Sequence, residues 1–272
     1  MSRLPPARVI FRYKNTDNDE PPRLAEFQGD GVRRAADIVA GGGLAFIQFG
    51  RVFGIFFDGR RPEIAATVRR LKEHDDPDRK FAVFMFWDQA DSFIDPVKLH
   101  SVLAPVHRRH IRGKLLSGKT SGHLSHKTGA RCHHRIPIYP HLTGRLAGHL
   151  ISRDGETPLL QFIDPTGHPP MEEFVRMLGD RDILPAVTTL NIHGQKESGS
   201  TEEAINVLID QDVVPDWVIF TEAQGLEVGA GSFAILDWYR GSWSRPGNID
   251  IAELEKLLSP DGPLNRDWLP EG

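Results

Sequence analysis

Cysteine, long apolar runs and, over one long stretch, acidic residues are what this chain of 272 residues lacks. Its one cysteine, Cys132, excludes an internal disulfide and any zinc site made of cysteines alone. No stretch reaches the roughly 18 consecutive apolar residues that a membrane helix needs. The first eight residues hold no apolar leader core. Together these absences point to a cytoplasmic protein without a membrane partner. Apolar residues make up 39% and charged residues 26%, which is the balance of a globular domain able to bury a sizeable core.

The most telling absence is local. From Pro96 to Arg153 there is no Asp or Glu, while eleven Lys or Arg and nine of the twelve histidines fall there. A net charge of -4 therefore hides a strongly positive segment. Two readings stand: a solvated basic face, or a surface for ligands that carry phosphate.

Periodicity and punctuation map the remainder. Asp30 caps a helix over 30–39, which the glycines at 41–43 stop. Residues 44–49 and 52–57 read as strands, and Pro62 opens a helix to Lys72. The apolar run 81–87 reads as a strand covered on both faces. Beyond the basic segment come a strand at 135–139, a helix at 142–151, a strand at 159–163, a helix at 170–178 and an extended stretch at 186–192. Ser200 and Glu203 form a capping box before a helix to Asp210. Strands follow at 217–221 and 233–238, then a final helix at 251–258. A short strand candidate lies at 9–13. Alternation of this kind predicts one α/β domain, a mixed twisted sheet flanked by helices. The expected division is an N-terminal extension over 1–30, the domain over 31–260 and a tail over 261–272.

Three stretches in this order resemble the YrdC-like family, which includes the threonylcarbamoyl-adenylate synthases. Residues 32–58, VRRAADIVAGGGLAFIQFGRVFGIFFD, are similar to that family's opening helix, glycine turn and strand pair. Residues 127–140, KTGARCHHRIPIYP, resemble its Val-Arg-Val-Pro strand, with Arg135 as the arginine. TTLNIHG, then GSFAILDW and SWSRPGNI, resemble its Ser-x-Asn strand, its serine-bearing strand and its Arg-x-Gly turn. The resemblance implies a YrdC-like fold with a basic concave cleft and ATP, accompanied by magnesium, as the cofactor. It also implies a bicarbonate or carbamoyl-type substrate, and RNA as a possible partner through tRNA-modification chemistry. Carried over residue by residue, Lys72, Arg135 and Arg245 fall on positions that neutralise phosphate. Thr189, Asn191 and Ser232 fall on positions that orient the nucleotide.

The family's Pro-Thr-x-Thr aligns on Gln48, Phe49, Gly50 and Arg51. An aromatic ring and a cation thus stand where hydroxyls would hold threonine, and an amide stands in place of the proline. Gln48 and Arg51 become the acceptor-site candidates, for an acceptor other than threonine. The alternative is a noncatalytic RNA- or nucleotide-binding protein of the same fold.

Two rival motifs carry less. Residues 113–120, GKLLSGKT, satisfy the P-loop pattern, yet no apolar strand precedes them and no helix pattern follows. His107 with His110 and His123 with His126 have ligand spacing. No cysteine pair or carboxylate completes either set, so no metal site is assigned.

Overall fold

The computed structural model describes residues 23–50, 52–72, 80–117, 132–191, 197–210, 218–222 and 232–247, with 250 and 252. Arg51, Lys119, His123, His126, the expected strand at 9–13 and almost all of the expected final helix lie outside these residues.

Strands are β1 (Arg23–Glu26), β2 (Ala45–Phe49), β3 (Val52–Asp58), β4 (Ala82–Phe84), β5 (Cys132–Pro137) and β6 (Ile151–Asp154). They continue with β7 (Thr157–Ile163), β8 (Pro185–Thr189), β9 (Val218–Thr221), β10 (Ala234–Asp237) and β11 (Ser242–Arg245). Helices are α1 (Asp30–Ala40), α2 (Pro62–Leu71), α3 (Trp87–Asp91), α4 (Ala104–Ser117), α5 (Pro169–Gly179) and α6 (Thr201–Asp210). All the described strands join in one mixed sheet of spatial order β1-β9-β2-β3-β8-β4-β7-β5-β10-β11, with β6 added beside β7. β2 and β3 pair as an antiparallel hairpin from Ala45↔Phe56 to Phe49↔Val52. Gly50, at φ 64°, begins the turn in a conformation that L side chains rarely adopt.

Two apolar cores sit on opposite faces of the sheet. One takes Val32, Ala35, Ala36 and Val39 from α1 with Met171, Phe174, Val175 and Leu178 from α5. Both sets recur at i, i+3, i+4 and i+7, the stripe of a helix that covers a sheet. The other takes Ala65, Val68 and Leu71 from α2, Trp87 and Ala90 from α3, Val106 from α4, and Ala204, Ile205 and Leu208 from α6. Helices on both faces explain why every residue of β3 is buried and why its sequence, VFGIFFD, is apolar without alternation. The strands expected near 44–49, 81–87, 186–192 and 217–221 do share this sheet, as β2, β4, β8 and β9.

Four expectations change. The helix expected at 142–151 is instead two 3-10 turns, Pro140–Arg145 and Gly148–Leu150, followed by β6. Pairing of Ile151 with Leu160 and Asp154 with Thr157 makes that segment extended. The strand expected at 81–87 stops at Phe84, and Trp87 opens α3. Within the acid-free segment, α4 occupies 104–117, where no helix was expected. Its backbone carries Gly113 through Ser117 as helix, whereas a P-loop needs a strand leading into those residues. Arg23–Glu26, read as part of an extension, is the edge strand β1, parallel to β9.

Candidate functional site

Three groups of polar side chains gather the residues singled out in the sequence. The first joins the end of α2 to the end of β8. Lys72 is the C-cap of α2 and only 2% exposed, so its ammonium must find acceptors inside the protein. Its Nζ donates to the Thr189 carbonyl at 2.5 Å and to Asn191 Oδ1 at 2.6 Å. Thr189 Oγ1 donates to the same Oδ1 at 2.8 Å. Thr189 and Asn191, two apart on an extended run, share a face as their spacing requires. Lys72 reaches them across more than a hundred positions of sequence.

The second group lies across β7, β5, β10 and β11. Arg135 on β5 stands in register with Gln161 and Asp237. Its guanidinium makes long contacts to both: Nη1 to Asp237 Oδ2 at 3.5 Å and Nη2 to Gln161 Oε1 at 3.5 Å. Its buried Nε has no hydrogen-bond partner among the described residues. Asp237 is fully buried and accepts from the Tyr239 and Arg240 N–H groups at 3.0 and 2.9 Å, which turns the chain from β10 into β11. At the end of β11, Arg245 clasps the Phe233 carbonyl, donating from Nε at 3.0 Å and Nη2 at 2.8 Å.

Between the two arginines stands His133, whose Nδ1 lies 2.8 Å from Gln161 Nε2. Burial, then Arg245, then His134 and Arg135, push its pKa down to about 3. It is therefore a neutral acceptor for the Gln161 amide rather than a third cation. Ser232, next to Phe233, is half-buried and has no polar partner among the described residues.

The third group holds Gln48, an acceptor-site candidate, with two partners that were not foreseen, Glu222 and His168. Gln48 Oε1 accepts from the Glu222 N–H at 3.2 Å, and the Gly50 N–H donates to both Glu222 carboxylate oxygens at 3.2 Å. His168 Nε2 lies 2.7 Å from Glu222 Oε1, with the two side chains 5% and 2% exposed. His168 Nδ1 accepts from the Met171 N–H at 3.1 Å, capping α5, so Nε2 is the nitrogen that donates to Glu222. The only sequence signal for this pair was His168 standing just before Pro169-Pro170, a helix start with a side-chain acceptor.

Aromatic rings tie the third group to the second. Phe49 packs 5.1 Å from His168, 5.1 Å from Phe84 and 5.4 Å from Phe233. Phe233 in turn lies 6.0 Å from His133. Twist of the wide sheet thus carries the end of β2 onto the start of β10.

The acid-free segment does not act as one unit. His107, His134 and His149 are buried, Arg135 is set into the sheet, and Arg108 and Arg109 are exposed on α4. His107 Nε2 lies 3.2 Å from Asp91 Oδ1.

The sequence matches no family model and no curated protein. Solved structures do match. Sua5 of P. abyssi, complexed with L-threonine, aligns with a TM-score of 0.59 at 13% identity, over 87% of this chain and 59% of that one. E. coli YciO aligns with a TM-score of 0.57 at 14% identity, over 86% of this chain and 96% of that one. Full-length HypF in its phosphate- and nucleotide-bound form aligns with a TM-score of 0.51 at 15% identity, over 78% of this chain and 28% of that one. This chain therefore spans about three fifths of Sua5 and about a quarter of HypF. At such identities the likeness speaks for architecture alone, and on that ground this chain has the YrdC-like fold that Sua5, YciO and the matching part of HypF share.

Proposed function

We propose that this chain is an ATP-using enzyme of the threonylcarbamoyl-AMP synthase type, which forms or transfers a carbamoyl-type adenylate on an acceptor other than free threonine. The observation that carries the reading is Arg135. Its guanidinium holds two contacts at the long limit of hydrogen bonding and keeps an Nε–H without a partner among the described residues, near Arg245 and a neutral His133. Buried donors left short of acceptors suit a phosphate that completes them.

In this scheme Arg135 and Arg245 hold phosphate oxygens, with magnesium accompanying the nucleotide. Ser232, with its hydroxyl unengaged, orients the ligand alongside Thr189 and Asn191. Lys72 fixes the positions of Thr189 and Asn191 and adds positive potential. An oxygen of a carbamate, formed from bicarbonate and an amine with loss of water, attacks the α-phosphorus. The bond from that phosphorus to the bridging oxygen breaks, and pyrophosphate leaves. Fixed guanidinium groups stabilise the charge that develops on the phosphoryl oxygens without reorganising. The carbamate is its own nucleophile, so the scheme requires no side chain as general base.

Glu222 supports the changed acceptor. Gln48, the acceptor-site candidate within the described residues, accepts from the Glu222 N–H, and the Gly50 N–H close by donates to the Glu222 carboxylate. A carboxylate of the protein thus occupies the end of β2, where the aligned Pro-Thr-x-Thr would meet threonine. The same observation favours a second reading, a noncatalytic nucleotide- or RNA-binding protein whose acceptor subsite is closed. Pyrophosphate release from ATP and bicarbonate, measured against a panel of amino acids and amines, separates the two. The enzyme reading expects stimulation by an amine other than threonine. Silence with every acceptor, together with retained ATP or RNA binding, leaves the noncatalytic reading. Stimulation by threonine refutes the changed acceptor.

A further inference from the structure

A cavity of about 680 Å³ is lined by Lys80, Thr143, Gly144, Gly148, Ile151, Ser152 and Arg153, none of which belongs to the groups above. Its position follows from local bonding. The Phe81 N–H donates to the His149 carbonyl at 3.0 Å, which sets Lys80 beside Gly148. β6 then brings Ser152 and Arg153 alongside through its pairing with β7. Ile151 belongs to the core of α2, α3, α4 and α6, whereas Phe49 and Phe233 belong to the opposite one. The cavity and the Arg135–Arg245 group thus rest on different faces of the sheet.

Three features of this cavity point to an anionic ligand. Among the described residues its lining has two cations and no carboxylate, and neither Lys80 nor Arg153 makes an ion pair there. The neighbouring Asp154 is held by Arg240 at 2.7 Å. Thr143 Oγ1 donates to the Pro140 carbonyl and Ser152 Oγ to the Leu159 carbonyl, so the lining hydroxyls spend their protons within the protein and the free donors are cationic. A Cβ added to Gly144 or Gly148 would meet nothing within 4 Å, and neither glycine has a positive φ. Both glycines therefore border open space rather than satisfy the backbone. A volume of this size lies within the range of small-molecule sites.

We propose that this cavity is a second ligand site, for a small phosphomonoester. A phosphomonoester carries about -1.5 to -2 charges near neutral pH, which matches one lysine and one arginine. The guanidinium offers the paired N–H groups that phosphate oxygens accept, and the ammonium serves as a point charge.

Amide NMR shifts of Gly144, Gly148, Ser152 and Arg153 report this site directly. Titrating the full chain with AMP or inorganic phosphate is expected to give saturating shifts at these amides, and neutral adenosine none. Lys80→Glu and Arg153→Glu should each weaken the AMP response tenfold or more, and Gly148→Leu should abolish it by filling the space. Arg135→Ala combined with Arg245→Ala should leave it unchanged, which separates this site from the proposed nucleotide cleft. No shift with either phosphate overturns the proposal. So does an equal response to adenosine, or a response that survives the three substitutions and disappears with the arginine pair.

Discussion

His134 stands on β5 with no exposed surface, its Nδ1 accepting from Trp238 Nε1 at 3.1 Å and its ring 4.8 Å from that of Trp87. Burial pushes its pKa from 6.5 down to about 3. The unfolded chain therefore binds a proton that the folded one refuses, and stability rises with pH through the interval between those values. The stabilisation is complete above the ordinary value and is lost as the pH falls toward 3.

Between about pH 7.5 and about pH 5 the loss assigned to His134 is about 2 kcal/mol, from a tenfold change in protonation being worth about 1.4 kcal/mol. Carboxylates in the unfolded chain titrate mostly below that window. His133 and His149 are lowered as well, so they deepen the loss with the same sign. Urea unfolding followed by the fluorescence of the buried Trp87, Trp238 and Trp243 measures it. His134→Gln keeps an acceptor for Trp238 and removes the titration. Its absolute stability falls at every pH, and its loss over the window should be smaller than that of the wild type by about 2 kcal/mol. An equal loss in both proteins, or a flat profile in the wild type, refutes the argument.

Arg135→Ala and Arg245→Ala should each weaken ATP binding by about tenfold to a hundredfold, since a charge-assisted hydrogen bond contributes about 1.5–3 kcal/mol. Calorimetric titration measures this, and unchanged affinity in both refutes their assignment. Lys72→Met strips the donor from the Thr189 carbonyl and Asn191 Oδ1 and should lower stability by about 1–3 kcal/mol. A thermal unfolding profile that does not move would show that this contact adds nothing to the fold. ATP affinity should fall as salt rises, because the cleft acts through charge. Affinity that is equal at low and high salt counts against a phosphate-driven site.

Local order was legible in the residues. The stripes of α1 and α5 are written in apolar spacing, and the 200–203 capping box forms as the sequence states, with Ser200 Oγ accepting from the Glu203 N–H at 3.1 Å. The apolar stretch 52–57 read as a strand and forms β3, buried along its whole length. Where the sequence misled, a partner made the difference. The helix expected at 142–151 gives way to two 3-10 turns and then β6, which forms because β7 offers its edge, and Arg23–Glu26 is a strand because β9 lies beside it. α4 escaped notice because its cations and histidines break up the apolar stripe, with Val106 fixing it to the core.

The site divides in the same way. Resemblance placed Lys72, Thr189 and Asn191 on one ligand-facing list, and the structure joins them through direct hydrogen bonds. His168, Glu222 and the Gly50 N–H come from three distant segments, and no spacing along the chain relates them. Only the twist of the sheet carries the end of β9 to the cap of α5. A contact of that kind is fixed by tertiary geometry, because the free energy of burying a hydrogen-bonded His–Glu pair exists only once both walls of the core have closed.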